Sequence, residues 1–234
     1  GVNIGDFGQG DEENFFALIK ELDQIEGIER FRISSIEPNL LSDDIIDFVA
    51  ASDKFVPHFH VPLQSGSDEM LASMRRRYLT PLYTERIKRI KDRMPNACIG
   101  VDVIVGFPGE TDEEFMKTVD FIKGLDVSYL HVFTYSERAN TTALRIEDVI
   151  PMHVRQERNK ILTQLSLKKK RAFYESQIGT THTVLWEASE DEGMMHGFTE
   201  NYVKVEQAFD EAKINTTEMV SLDAISKTGL VSIG

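Results

Sequence analysis

The side chains best suited to chemistry stand on or at the ends of short apolar runs. His58 and His60 flank Phe59, so in an extended strand both imidazoles leave the same face. An HxH pair inside a β/α barrel is how metal-dependent hydrolases hold zinc, and Asp102 or His131 would complete such a set. Asp102 interrupts the apolar run Ile99–Val105, where an ionised carboxylate is costly unless paired; it serves a site or partners a barrel cation. Gln64-Ser65-Gly66-Ser67 joins a strand end to a helix start, where side-chain donors and free amides hold a ribose or a carboxylate. Capping explains Ser65 and Ser67 equally well, whereas Gln64 is a poor cap.

The elements that position these residues follow from hydrophobic periodicity. Phe15, Leu18, Ile19, Leu22 and Ile25 predict an amphipathic helix over 12–26, stopped by Gly27. Phe31–Ile36 reads as a strand ended by Pro38, and Ser42 caps a helix over 43–52. A short strand at 59–61, a helix from Asp68, a helix from Thr80 to Met94 and an apolar strand at 99–105 follow. Beyond the turn Gly106-Phe107-Pro108-Gly109-Glu110, Thr111 and Glu114 form a capping box, and Tyr129–Tyr135 is the next strand. Continuous apolar strands alternating with amphipathic helices imply parallel strands covered by helices, with polar strand ends gathered at one mouth. About four strands give an open barrel with an exposed edge. A basic helix over 153–178 carries Arg155, Arg158, Lys160 and the run Lys168-Lys169-Lys170-Arg171, and short β segments with polar turns fill 179–234.

Composition narrows the function. With 41% hydrophobic and 28% charged residues the 234-residue chain has an ordinary globular composition, and no run approaches the roughly 20 apolar residues of a membrane span. Its single cysteine, Cys98, permits no internal disulfide and holds no metal site alone, which fits a reducing, cytoplasmic setting. A net charge of -13 argues against bulk electrostatic binding of nucleic acid, and from Gly179 onward ten Asp and Glu face three Lys.

Three strand-end sequences occur in order at barrel spacing: His58-Phe59-His60-Val61-Pro62-Leu63-Gln64-Ser65-Gly66-Ser67-Asp68, Asp102-Val103-Ile104-Val105-Gly106-Phe107-Pro108-Gly109-Glu110-Thr111, and Tyr135-Ser136-Glu137-Arg138. Together they resemble the radical S-adenosylmethionine tRNA methylthiotransferases. Arg30–Pro38, Met74-Arg75-Arg76-Arg77-Tyr78 and Met195–Tyr202 resemble the branch that acts on threonylcarbamoyladenosine. The resemblance implies an α/β fold, a partial (β/α) radical-SAM-type barrel over 1–152, then the connector helix and a small all-β, TRAM-like domain over 179–234.

It also implies an enzyme that uses S-adenosylmethionine as methyl donor and radical source to add a methylthio group to an adenosine beside the anticodon of tRNA. The family uses two 4Fe-4S clusters, one on a CxxxCxxC loop after the first barrel strand and one on three cysteines of an N-terminal domain. Neither cysteine set is in this sequence, so the chain is expected to be a fragment lacking that domain, inactive alone, with an open barrel edge that permits oligomers. On this resemblance Glu37, Gln64, Ser65, Arg76, Asp102 and Gly106 fall at the cofactor: Arg76 for a carboxylate, Glu37 for ribose hydroxyls or the amino group, Gly106 for backbone approach to the adenine. Arg138, Lys168, Lys169, Lys170, Arg171 and Tyr202 fall to tRNA. A non-catalytic RNA-binding module and the His58/His60 hydrolase stand as alternatives.

Overall fold

The structure, a computed structural model, describes residues 3–234. Three parallel strands, β1 (His58–His60), β2 (Cys98–Val105) and β3 (Tyr129–Thr134), form a sheet in that order. Registers Phe59↔Ile99 and Asp102↔His131 put His58, His60, Asp102 and His131 on one face and the apolar residues between them on the other. That apolar face packs under α1 (Phe15–Gln24), α2 (Asp43–Ala51), α3 (Asp68–Ser73), α4 (Thr80–Arg93) and α5 (Asp112–Gly124), which contribute Ile19, Ile46, Leu71, Tyr83, Ile90 and Ile122 to one core. The caps are local: Asn14 accepts from Ala17 N–H, Ser42 from Ile45, Ser67 from Met70 and Thr111 from Glu114.

The expected strand at Phe31–Ile36 is reduced to a bridge between Phe31 and Phe55 and one bond from Ile36 N–H to the His60 carbonyl. Pro57 is the cause: it has no N–H to give, and the next amide, on His58, turns back to the Val56 carbonyl at 2.8 Å. At the other flank, β3 is not open. The 26-residue helix α6 (Met152–Gln177) crosses it, with Ser166 exchanging two hydrogen bonds with Leu130 and Asn159 donating to the Val132 carbonyl.

After α6, the strands β4 (Thr181–Asp191), β5 (Met194–Thr199), β6 (Lys204–Ala208), β7 (Thr217–Ile225) and β8 (Val231–Ile233) close into a small barrel in the order β4-β5-β6-β8-β7. Fully buried Trp186 anchors its core with Val184, Met195, Val205 and Leu222. β5 and β6 are divided by the turn Glu200-Asn201-Tyr202. Tyr202 takes φ +68° and leaves the small barrel, placing its ring 4.4 Å from that of His58 and 4.6 Å from that of Phe198, with the Arg32 guanidinium 4.6 Å over its face. Asn201 donates to the Asn96 carbonyl at 3.1 Å and to Gln177 Oε1 at 2.9 Å. The β domain therefore stops the amino-terminal end of the parallel strands, and the carboxyl-terminal end is left as the mouth.

Trp186 is the chain's sole tryptophan and lies in the β domain, so its fluorescence reports that domain alone. Tyr202→Ala is expected to lower stability by about 2 kcal/mol, below the ~3–5 kcal/mol of a fully buried aromatic. Unfolding followed by tryptophan emission should then separate from unfolding followed by far-ultraviolet dichroism. Coincident transitions in the variant would mean that the seam does not couple the domains.

Candidate active site at the mouth of the parallel strands

Gln64, Arg76, Asp102, Ile104, Tyr135 and Arg138 line one cavity of about 500 Å³ at the carboxyl ends of the strands. Gln64 reaches it because the chain there adopts φ +70°, donates its N–H to the Asp102 carbonyl and accepts from Ile104 N–H. Of the three consecutive arginines, Arg76 turns in and pairs with Glu37 at 3.1 Å, while Arg75 and Arg77 stay exposed. The pair takes only part of the guanidinium: the buried Nε of Arg76 has no hydrogen-bond partner, nor does Asp102 Oδ1. Orphaned donor and acceptor atoms facing one cavity suit a ligand carrying both charges.

Ser65 does not join them. It is fully buried, its hydroxyl lies 3.0 Å from Thr118 Oγ1 on α5 and accepts from Ser67 N–H. It packs the turn against α5, as does Gly66, where a Cβ would meet Thr118 Cα at 2.8 Å.

Gly106 is held on two sides. Its N–H donates to Glu110 Oε2 at 2.7 Å, and its φ of +75° leaves no room for a Cβ, which would stand 2.3 Å from Arg155 Cγ. Arg155 is itself spent on the Ile150 and Tyr135 carbonyls and on Glu137. Arg158 donates to the Glu110 carbonyl and carboxylate and to Asp112. Burial pushes the Glu110 carboxyl above its ordinary value, against the opposing pull of the Gly106 amide and Arg158. Arg155 and Arg158, on the basic helix of the sequence reading, are both buried, and their i, i+3 spacing on α6 is the signal of one inward face.

Inside the mouth, His60, Asp102 and His131 come together: His60 Nε2 stands 2.8 Å from Asp102 Oδ1 without hydrogen-bond alignment, and the two imidazole centroids are 5.5 Å apart. His58 does not belong to this group. Its Nε2 is 3.1 Å from the Tyr129 hydroxyl, and Gly100 leaves the space that the Tyr129 ring occupies. The HxH pair is thus split between two layers, which removes the His58/His60 zinc set.

The residues assigned to RNA are mostly engaged elsewhere. Lys169 donates to the Leu125 carbonyl, Lys170 lies 5.2 Å over the Tyr174 ring, Arg171 pairs with Glu175, and Tyr202 is wedged in the seam. Lys168 is exposed on α6, and Arg138 is exposed at the mouth. Cys98 is buried at the amino end of β2, and burial pushes its thiol up to about 12. No helix among the described residues is long and apolar enough to cross a membrane.

Residues 6–122 match the family model described as the radical SAM superfamily. The chain is 42% identical over 211 residues to the threonylcarbamoyladenosine tRNA methylthiotransferase MtaB of Bacillus subtilis, covering 88% of this chain and 47% of that protein. It is 36% identical over 207 residues to its namesake in Aquifex aeolicus, covering 88% and 49%. It is also 36% identical over 205 residues to a tRNA-2-methylthio-N(6)-dimethylallyladenosine synthase of Endomicrobium trichonymphae, again covering 88% and 49%. The chain spans about half the length of these relatives. Among solved structures, the Escherichia coli coproporphyrinogen III oxidase HemN, described as a radical SAM enzyme, superposes with a TM-score of 0.51 at 18% identity, over 68% of this chain and 37% of that one.

Two outcomes follow from this geometry. Gly106→Ala is expected to cost about 2–3 kcal/mol in urea unfolding, since left-handed strain adds to the contact with Arg155. His58 is held neutral by burial first and by Arg32, His60 and His131 next, with its pKa lowered to about 3. The unfolded chain protonates that imidazole near 6.5, so acidification from pH 6.5 towards 3 favours unfolding, with a slope of up to about 1.4 kcal/mol per pH unit from this group. His58→Gln should flatten that part of the stability–pH curve; an unchanged slope would assign the acid sensitivity elsewhere.

Proposed function

The chain belongs to the radical SAM superfamily, and from that membership we propose that it is the cofactor-pocket and tRNA-facing part of a methylthiotransferase acting on threonylcarbamoyladenosine in tRNA. The supporting observation is the single cavity on which Gln64, Arg76, Asp102 and Arg138 converge, in a chain 42% identical to a relative with that printed activity.

The residues present suit S-adenosylmethionine. Arg76 keeps an unpartnered Nε for a carboxylate, Asp102 keeps an unpartnered Oδ1 for an ammonium or a hydroxyl, Gln64 lines the same cavity, and Glu37 pairs with Arg76 from outside its lining. When bound, this cofactor supplies a methyl group and, with a reduced cluster, a radical. The chain's own contribution is to grip the polar ends of the cofactor and fix its orientation, with Glu37 holding Arg76 and Glu110 holding the Gly106 amide.

A 4Fe-4S cluster does not fit these residues. The chain has one cysteine, buried and protonated, so no thiolate set can form. In this reading the two clusters belong to polypeptide outside these 234 residues, and the chain alone is inactive. A cytoplasmic setting suits a tRNA substrate. Self-association, if it accompanies this function, uses the flank at Phe31–Ile36, since β3 is covered by α6.

The decisive experiment joins the cysteine-bearing upstream segment of the Bacillus subtilis relative to this chain, reconstitutes clusters anaerobically, and seeks methylthio-threonylcarbamoyladenosine in tRNA digests by mass spectrometry. Product is expected, falling at least about tenfold with Arg76→Ala. No product from well-formed clusters would refute the reading. The chain by itself should neither cleave S-adenosylmethionine nor bind it tightly in calorimetry, because the chelating iron is absent from it.

A further inference from the structure

Between the mouth and the seam, the inner face of the sheet carries a polar layer in which Asp102 is shared with the cofactor reading and His60 and His131 are not. His60 and His131 lie with their rings 25° from parallel and centroids 5.5 Å apart, and Asp102 Oδ1 stands 2.8 Å from His60 Nε2. Neither of those two buried atoms has a hydrogen-bond partner in the protein. An unsatisfied buried polar atom costs about 1–3 kcal/mol, so the layer is arranged for a guest that brings both donors and acceptors. Beneath it His58, Tyr129 and Tyr202 pack on one another, and His131, which is exposed, lines a cavity of about 310 Å³ with Tyr129 and Tyr202. Above it the way is open, because Asp102 also lines the mouth cavity. A guest held at the mouth can extend to this layer through Asp102, the member the two share.

We infer that His60, Asp102 and His131 form the subsite for the N6 substituent of the target adenosine and select a threonylcarbamoyl group over a dimethylallyl group. This rests on the tRNA reading above and adds to it the side chains that choose the substrate. A threonylcarbamoyl group carries a carboxylate, a hydroxyl, a carbonyl and a ureido N–H. The imidazole N–H groups can donate to its carboxylate or hydroxyl, and the Asp102 carboxylate can accept from its hydroxyl or ureido N–H. A dimethylallyl group is hydrocarbon and would leave all three side chains without partners, which is how a hydrogen-bonding site rejects an analogue. Overall identity leans to the threonylcarbamoyl relatives, at 42% and 36% against 36% for a dimethylallyl one, without saying which side chains choose. The same three side chains have the donor types of a divalent-cation site and their ligating atoms lie within 4.8 Å of one another, so a metal ion is the rival occupant.

The test titrates the full chain with three anticodon stem-loop RNAs that differ only at the adenosine beside the anticodon: threonylcarbamoyl, dimethylallyl or unmodified. Binding is read by fluorescence anisotropy in EDTA, and again with added zinc. The expected result is that, in EDTA, the threonylcarbamoyl loop binds about tenfold or more tightly than the dimethylallyl loop. That ratio should collapse in His131→Ala and in the isosteric Asp102→Asn, with folding of each verified by dichroism. Equal affinity for all three loops, or a ratio that survives both variants, overturns the inference and leaves the tRNA reading standing. Discrimination that appears only with zinc overturns it in favour of a metal site. Failure to bind any of the loops removes the tRNA reading and this inference with it.

Discussion

The contact on which the mouth depends is the buried pairing of Arg158 with Glu110. An ionised carboxylate at 1% side-chain exposure is tolerable only when paired and hydrogen-bonded, and Glu110 has both, with Arg158 at 2.7 Å and the Gly106 amide at 2.7 Å. Losing either partner would leave a buried charge, so the turn after β2 and the start of α6 behave as one piece. Arg155, one turn earlier on the same helix face, extends the clamp to the Tyr135 carbonyl and Glu137. The strand-end segments around the cavity are thus fixed to a helix that runs on, past Ser166 and Leu130, to the β domain.

That helix gives the molecule two ends with different tasks. At the amino ends of the strands, His58, Tyr129, Tyr202 and Phe198 pack with Arg32 into a seam whose buried imidazole, His58, is held neutral. At the carboxyl ends, charged groups remain partly unsatisfied. Stability is concentrated where no ligand is expected, and open hydrogen-bonding capacity where one is. A close-packed base is what lets the mouth keep orphaned atoms without collapse.

The sequence made most of this legible, because the strands and helices state their own periods. Thr111 with Glu114 and Ser67 ahead of Met70 cap helices as their types require. Gln64 and Asp102 meet at one cavity because one follows and the other interrupts an apolar strand whose carboxyl end points there, and Arg76 joins them from the turn after α3. What could not be read was set by partners distant in the chain. Ser65 looked like a ligand-binding hydroxyl until Thr118, 53 residues on, is seen to take it. His58 and His60 share a face, but Tyr129 claims one and Asp102 the other. Phe31–Ile36 has strand-forming residues and loses its ladder to a proline on the neighbouring segment. Tyr202 sits in the turn between β5 and β6 and serves a domain seam, a role settled by a positive φ that only the folded turn reveals.

Charge poses the remaining question of how a chain with formal charge -13 meets a polyanion. Many of its cations answer to acids within the fold: Arg86, Arg89, Arg93, Lys117, Arg155, Arg158 and Arg171 are all in ion pairs. Arg138 at the mouth, and Arg75 and Arg77 in the neighbouring cavity that Arg76 shares with both, form no ion pair with an acid among the described residues. A negatively charged surface with a few uncompensated arginines around one opening repels phosphate broadly and attracts it there, so local field rather than total charge decides where a nucleic acid can approach. The distribution favours delivery of one nucleotide to the cavity over a grip along a helix. It also explains why the connector lysines, held by Leu125 and Tyr174, contribute so little to that surface.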